Sequence, residues 1–213
     1  MKVTIVYDNE ASQPGLKSSW GFSCLIETES RALILFDTGA DGATLFHNMR
    51  ELGINPGDIG KIVISHAHGD HTGGLWDILE VNREAEIYLP ASIRAEIRGR
   101  KVTPVRQPIQ ISEDVFSTGE LKGIEQSLAL KTGKGIVVVA GCSHPGMGEI
   151  LQAASRFGQV SGIVGGLHGF SDFDRLRGLS LICPCHCTQY KSELRQLFPE
   201  QYIACGAGLE LEL

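Results

Sequence analysis

Along this chain, short runs of Val, Ile and Leu bounded by Gly, Asp or Pro alternate with stretches whose apolar residues recur every three or four positions. The first kind of run predicts strands at 3–7, 22–28, 32–36, 61–65, 86–89, 127–131, 135–140, 160–164 and 179–183. The second kind predicts helices at 43–52, 75–81, 92–97, 148–157 and 189–198. In the first of these helices Leu45, Met49 and Leu52 form an apolar stripe, and Gly53 follows as a stop. Three strands in succession open the chain, and strand-then-helix units fill its second half. That order predicts two sheets packed face to face with helices outside, a four-layer αββα sandwich of the α/β class. With no linker and no low-complexity segment, residues 1–213 read as one domain. The segment 92–119 carries the weakest pattern and is expected to form a loop or flap.

Composition narrows the partners more than the fold. Hydrophobic residues make up 42% and charged residues 21%, ordinary values for a globular chain. The formal net charge of −6 argues against a binder of nucleic-acid backbone, which concentrates Lys and Arg to displace counterions. A small-molecule substrate is expected instead, and an anionic one is compatible because a metal ion supplies local positive charge. The first residues, Met1 to Tyr7, read as a strand rather than a secretion signal, and no apolar run approaches the roughly 18 residues of a membrane span. A cytoplasmic location and reduced thiols are therefore expected for the six cysteines.

The chemistry concentrates in histidine. His66, His68, Asp70 and His71 fall within six residues directly after the strand at 61–65. Three imidazoles and a carboxylate so close together are costly to place unless they bind something, and such mixed sets suit Zn, Fe or Mn. In an extended backbone His66 and His68 point the same way. Asp70 and His71 fall where Gly69, Gly73 and Gly74 let the chain turn. Three later histidines, His144, His168 and His186, each end a strand of their own, so the set reads as ligands brought to one rim. His47 lies on the helix at 43–52 and is expected at the surface or partly buried.

His66-x-His68-x-Asp70-His71 after a strand resembles the signature of metallo-β-lactamase-fold hydrolases. Leu35-Phe36-Asp37-Thr38-Gly39 resembles the first motif of that superfamily, and Gly141-Cys142-Ser143-His144 its third. Together with Gly165-Gly166-Leu167-His168 and Pro184-Cys185-His186-Cys187-Thr188, these motifs are similar to one subgroup of it. That subgroup is described as metal-dependent hydrolases or as dihydropterin-ribofuranosylaminobenzene-phosphate synthases. The resemblance implies an αββα fold and a centre of two divalent ions, expected to be Zn, with Mn or Fe as alternatives. It implies His66, His68 and His144 as ligands of the first ion, and Asp70, His71 and His186 as ligands of the second. Asp37 would stand behind them as the acceptor that orients a ligand histidine.

One position departs from the superfamily. Many members place a bridging carboxylate where this chain has His168, and an imidazole cannot bridge through two oxygens. His168 is then either a terminal ligand of the second ion, the reading its strand-end position favours, or a substrate contact. Asp172 and Asp174 are expected to cap the following helix. Cys183, Cys185 and Cys187 alternate, so in a strand they would share one face. Without the usual zinc spacing they read as buried thiols rather than ligands, as do Cys142 and Cys205. Trp20 precedes a strand and is expected in the core, with a wall of the pocket as the other reading.

The activity that the resemblance implies is metal-dependent hydrolysis of a phosphoester, lactone, thioester or amide, with Asp70 as catalytic acid–base group. The alternative is transfer, in which an arylamine displaces pyrophosphate from a pterin. A di-iron redox role is the third reading, and no separate flavin-binding domain accompanies it.

Overall fold

The computed structural model describes residues 1–95 and 97–213. Its strands are β1 (Lys2–Tyr7), β2 (Ser23–Glu27), β3 (Leu33–Phe36), β4 (Lys61–Val63), β5 (Glu86–Pro90), β6 (Val102–Val105), β7 (Ile109–Ser112), β8 (Val115–Ser117), β9 (Leu128–Thr132), β10 (Gly135–Ala140), β11 (Val160–Gly166), β12 (Leu181–Cys185) and β13 (Glu210–Glu212). Its helices are α1 (Gly42–Glu51), α2 (Gly69–Thr72), α3 (Leu75–Val81), α4 (Met147–Ala154) and α5 (Lys191–Leu197). Among the described residues, one sheet has the order β13-β1-β2-β3-β4-β5-β6 and the other β12-β11-β10-β9-β8-β7.

Period-2 alternation sorts each strand between two cores. In β10, Val137 and Val139 face the other sheet, while Ile136, Val138 and Ala140 face α4. In β1, Val3 and Ile5 point between the sheets, whereas Val6 and, past a register shift that interrupts the alternation after Ile5, Tyr7 join Leu45 and Met49 of α1 on the outer face. Each such aliphatic side chain contributes about 1.5–3 kcal/mol when taken fully out of water. The helices thus cover the two outer faces of a sheet pair, which is the αββα arrangement. Asp41 starts α1, its Oδ1 accepting the Thr44 N–H at 2.7 Å. No helix among the described residues is long and apolar enough to cross a membrane.

The segment 92–119 is not the loop that its weak pattern suggests, because it contains β6, β7 and β8. β6 and β7 are the edge strands of their sheets, where one side of the backbone needs no partner and half-polar sequence suffices. Pro104 within β6 is tolerated for the same reason. The helix expected at 92–97 does not form at its described positions, and Glu96 lies outside the described residues. β12 starts two residues later than expected, which brings Cys185 into the strand.

Candidate metal centre

β3, β4 and β5 run parallel, as do β10, β11 and β12. β1 shares the direction of β3 through the antiparallel β2. The loops leaving the carboxyl ends of these strands bring the predicted donors together, the place where α/β sheets bind ligands. Four of these exits include a non-glycine residue in the left-handed region: Asp37 (φ 59°), Ser143 (64°), His168 (48°) and His186 (45°). Each such residue costs about 1–3 kcal/mol and persists only where the surroundings hold it.

Two donor groups form. One nitrogen each of His66, His68 and His144 lie within 4.8 Å of one another, as do a carboxylate oxygen of Asp70 and one nitrogen each of His71 and His186. The groups adjoin, since the rings of His66 and His71 have centroids 4.2 Å apart. His168 joins neither group. It is exposed at the rim, its ring 5.2 Å from that of His144. His47 is remote from both, with its Nε2 2.8 Å from the Gly15 carbonyl.

Buried acceptors aim these side chains. Asp37 Oδ1 accepts the Ser65 N–H, and Oδ2 accepts the Ser65 hydroxyl, both at 2.7 Å. Oδ2 also lies 2.7 Å from His71 Nδ1. With Nδ1 donating there, the lone pair on His71 Nε2 faces the centre. Burial works to lower the pKa of His71, but the Asp37 carboxylate outweighs it and the net direction is up. His186 is held by Asn9, whose Oδ1 is 2.9 Å from its Nδ1, and by Asp8, which accepts its backbone N–H at 2.8 Å. Asp70 Oδ2 accepts Trp20 Nε1–H at 2.9 Å and stands 3.1 Å from His186 Nε2.

Glu125 holds the other loop. Its Oε1 accepts the N–H groups of Cys142 at 3.1 Å and Ser143 at 3.0 Å, and Oε2 accepts that of His144 at 2.8 Å. Burial pushes this carboxyl up, against the three N–H groups that stabilise its charge. The neighbouring Gln126 donates its amide to the Ile64 carbonyl at 2.8 Å, on the loop of the other half. Between the halves Gly141 leaves no room for a side chain, because a Cβ there would collide with Ser65 Oγ.

The donor set fits a metal. Burial and repulsion from His71 lower the pKa of His66 to about 2, and burial with His71 lowers that of His186 to about 4. Both rings are then neutral with lone pairs available. The buried His144 Nε2 has no hydrogen-bond partner, and His66 Nε2 faces His68 Nδ1 at 3.1 Å. Nitrogens converging in this way are the ligands that a borderline divalent cation takes.

Several neighbours differ from the expectations above. Trp20 is 61% exposed, its ring centroid 4.8 Å from that of His186, so it walls the mouth instead of filling the core. Asp172 makes no side-chain cap bond. It pairs instead with Arg175, and Asp174 with Arg177, both at 2.7 Å on the surface. Cys183 and Cys185 pack in the inter-sheet core with Cys205, but Cys187 does not share their face. The left-handed turn at His186 sends Cys187 towards Cys142, whose Sγ lies 3.1 Å from His71 Nε2. Asp8, Asn9 and Glu125 escaped the sequence reading altogether. An acid after the first strand, like Asp37 after the third, was the available signal for Asp8; a lone glutamate before β9 gave none for Glu125.

Residues 21–148 match the family described as the metallo-beta-lactamase superfamily. The chain is 30% identical to the 7,8-dihydropterin-6-methyl-4-(beta-D-ribofuranosyl)-aminobenzene-5'-phosphate synthase of Methanocaldococcus jannaschii, over 87% of this chain and 85% of that relative. It superposes on the crystal structure of Tm1679, a metal-dependent hydrolase of the beta-lactamase superfamily, with a TM-score of 0.78 at 27% identity, covering 100% of this chain and 99% of that one. Zn(2+)-bound PqqB from Methylobacterium extorquens shares the fold, with a TM-score of 0.66 at 11% identity and full coverage of both chains.

Proposed function

Since the chain belongs to the metallo-beta-lactamase superfamily, we propose that it is a hydrolase with two divalent ions, expected to be zinc. His66, His68 and His144 would hold one ion, and Asp70, His71 and His186 the other. The observation that carries this reading is the convergence of the two donor groups on one rim, with His144 Nε2 buried and unpartnered. Bound ions of this kind supply Lewis acidity and lower the pKa of water.

The chain's own groups do the rest. Asp70 accepts a proton from the attacking water and returns it, while Trp20 Nε1–H holds its Oδ2 in place. Asp37 keeps His71 in the tautomer that leaves Nε2 free, and Asn9 steadies His186. The exposed indole of Trp20 and the rim imidazole of His168 face an incoming small molecule. A phosphoester, lactone, thioester or amide is the substrate class.

A second reading is transfer of a pterin group to an arylamine, favoured by the 30% identity to the synthase. The open indole of Trp20 offers a flat ring a surface for stacking.

Elemental analysis after reconstitution with Zn, Mn or Fe should find about two ions per chain, as in two-metal sites generally. A panel of phosphodiesters, lactones and thioesters should then yield at least one hydrolysed substrate. Failure to take up any of these ions would end the reading. A loaded protein that cleaves none of the panel but joins a pterin pyrophosphate to an arylamine is the transferase.

A further inference from the structure

Three of the six cysteines meet between the sheets, where the metal-centre reading gives them no part. Cys183 and Cys185 alternate on β12 and point the same way. Cys205 comes from the segment that crosses from one sheet to the other. Before it, the Ile203 N–H donates to the Ile182 carbonyl of β12 at 2.9 Å; after it, the Gly208 N–H donates to the Ile5 carbonyl of β1 at 2.8 Å. The three sulfurs lie within 4.8 Å of one another, and each residue is 5% exposed or less. None of the three is in a disulfide. Cys24 shares this core but stands outside the group.

From this convergence we propose that Cys183, Cys185 and Cys205 form a trithiol site for a trivalent, thiophilic metalloid, arsenic(III), bound as one centre to all three sulfurs. The inference stands apart from the metal-centre reading, because it uses none of the histidine donors. Charge selects the valence. A dry site tolerates a charged ligand set only when the charges cancel. Three thiolates carry three negative charges, so a monovalent or divalent ion leaves the complex anionic. The buried Asp8 carboxylate, with Oδ2 3.6 Å from Cys205 Sγ, makes a residual negative charge costlier still. Lys191, the cation that faces Asp8, is already paired with Glu10 at 3.2 Å. A trivalent centre brings the balance to zero.

Coordination number points the same way. Structural zinc almost always takes four ligands. Among the described residues, no fourth His, Cys, Asp or Glu donor joins the trio. Arsenic(III) forms three bonds and keeps a lone pair at the fourth corner. The step balances without an oxidant. Arsenite enters as the neutral hydroxide, As(OH)3. Three As–O bonds and three S–H bonds break, three As–S bonds form, and each hydroxide leaves as water with a thiol proton. Arsenic stays trivalent and no sulfur is oxidised. The product staples β12 to the crossing segment.

The test is X-ray absorption at the arsenic edge on the full-length protein, incubated with arsenite and freed of the excess, with arsenic counted by elemental analysis. The wild type should hold one arsenic per chain with three sulfur neighbours and no oxygen. Cys205→Ser and Cys183→Ala each remove one arm, so the apparent affinity for arsenite should fall at least about 10²-fold in either, as when one of several linked contacts is lost. The double variant Cys142→Ala/Cys187→Ala removes the thiols near the histidines and should keep the three-sulfur signal. A wild type that takes up no arsenic, or whose arsenic keeps an oxygen neighbour, overturns the proposal, and this reading needs no variant to fold. Wild-type affinity in Cys205→Ser overturns it too, as does loss of the signal in a double variant that circular dichroism shows to be folded. Cadmium taken by the trio in place of arsenite, seen as a thiolate-to-cadmium absorption that Cys205→Ser abolishes, overturns the charge argument and the proposal with it.

Discussion

The two halves of the centre reach similar donor geometry by different means. In the first half, His66, His68, Asp70 and His71 come from one short loop, and the buried Asp37 grips side chains there, the Ser65 hydroxyl and the His71 ring. In the second half, His144 and His186 come from separate strands, and buried carboxylates grip backbone instead. Glu125 takes three N–H groups and Asp8 takes that of His186. A contiguous loop already holds its donors near one another, so it needs only their rings oriented. Donors from distant strands need the whole loop held in position, and two of those loops carry left-handed residues that would otherwise relax.

This contrast orders the expected effects. Glu125→Ala should be the most damaging, because it leaves two buried N–H groups and the half-buried one of His144 without an acceptor, at about 1–3 kcal/mol each. Urea unfolding of the metal-free protein should show a loss of at least about 3 kcal/mol. A value within about 0.5 kcal/mol of wild type would mean that water replaces the carboxylate and that Glu125 is no anchor.

Asp70→Asn comes next and acts on chemistry. At saturating metal it should keep the fold and much of its metal, yet lose at least about 10²-fold in turnover on the best substrate of the hydrolysis panel. That is about 2.7 kcal/mol of barrier. Full metal with wild-type turnover would remove Asp70 from the mechanism.

Asp37→Asn probes the ring-orienting half. The amide cannot serve Ser65 and His71 as a double acceptor, so metal affinity should fall about 10–100-fold while the fold survives. Competition with a chromophoric chelator measures this. An unchanged affinity would place the orienting role with Ser65, whose hydroxyl also lies 2.8 Å from His66 Nδ1.

The smallest effect is expected at His168. The ring is exposed and outside both donor groups, so His168→Ala should keep its full metal content and show only a raised KM. Loss of one ion per chain would make it a ligand and would add a third loop to the second half.

Legibility in the sequence follows the same divide. The continuous apolar runs of β1, β3, β10 and β11 are readable because each strand is buried on both faces, which forces Val and Ile into short unbroken blocks. β6 to β8 are short, and the two at sheet edges bury less, so their pattern fades. Cys187 leaves the face of Cys183 and Cys185 because β12 ends at Cys185 and His186, with a φ of 45°, breaks the extended backbone that alternation requires. Cys142 reads as an ordinary core thiol because nothing local distinguishes a buried cysteine that faces leucines from one that faces imidazoles.

The sequence by itself determined the cluster at His66 to His71 and the three histidines at strand ends, because spacing along one loop and position at a strand terminus are local properties. It also determined the layered fold, since the order and period of apolar runs decide which faces must be buried. Only the tertiary structure decided that His168 stays at the rim, that Trp20 opens onto the mouth, and that Glu125, Asp8 and Cys142 belong to the centre. Each of these depends on which strand exits the packed sheets bring side by side. A carboxylate and the N–H groups it stabilises can lie far apart along the chain, and the cost of burying either one alone is met only when the fold pairs them.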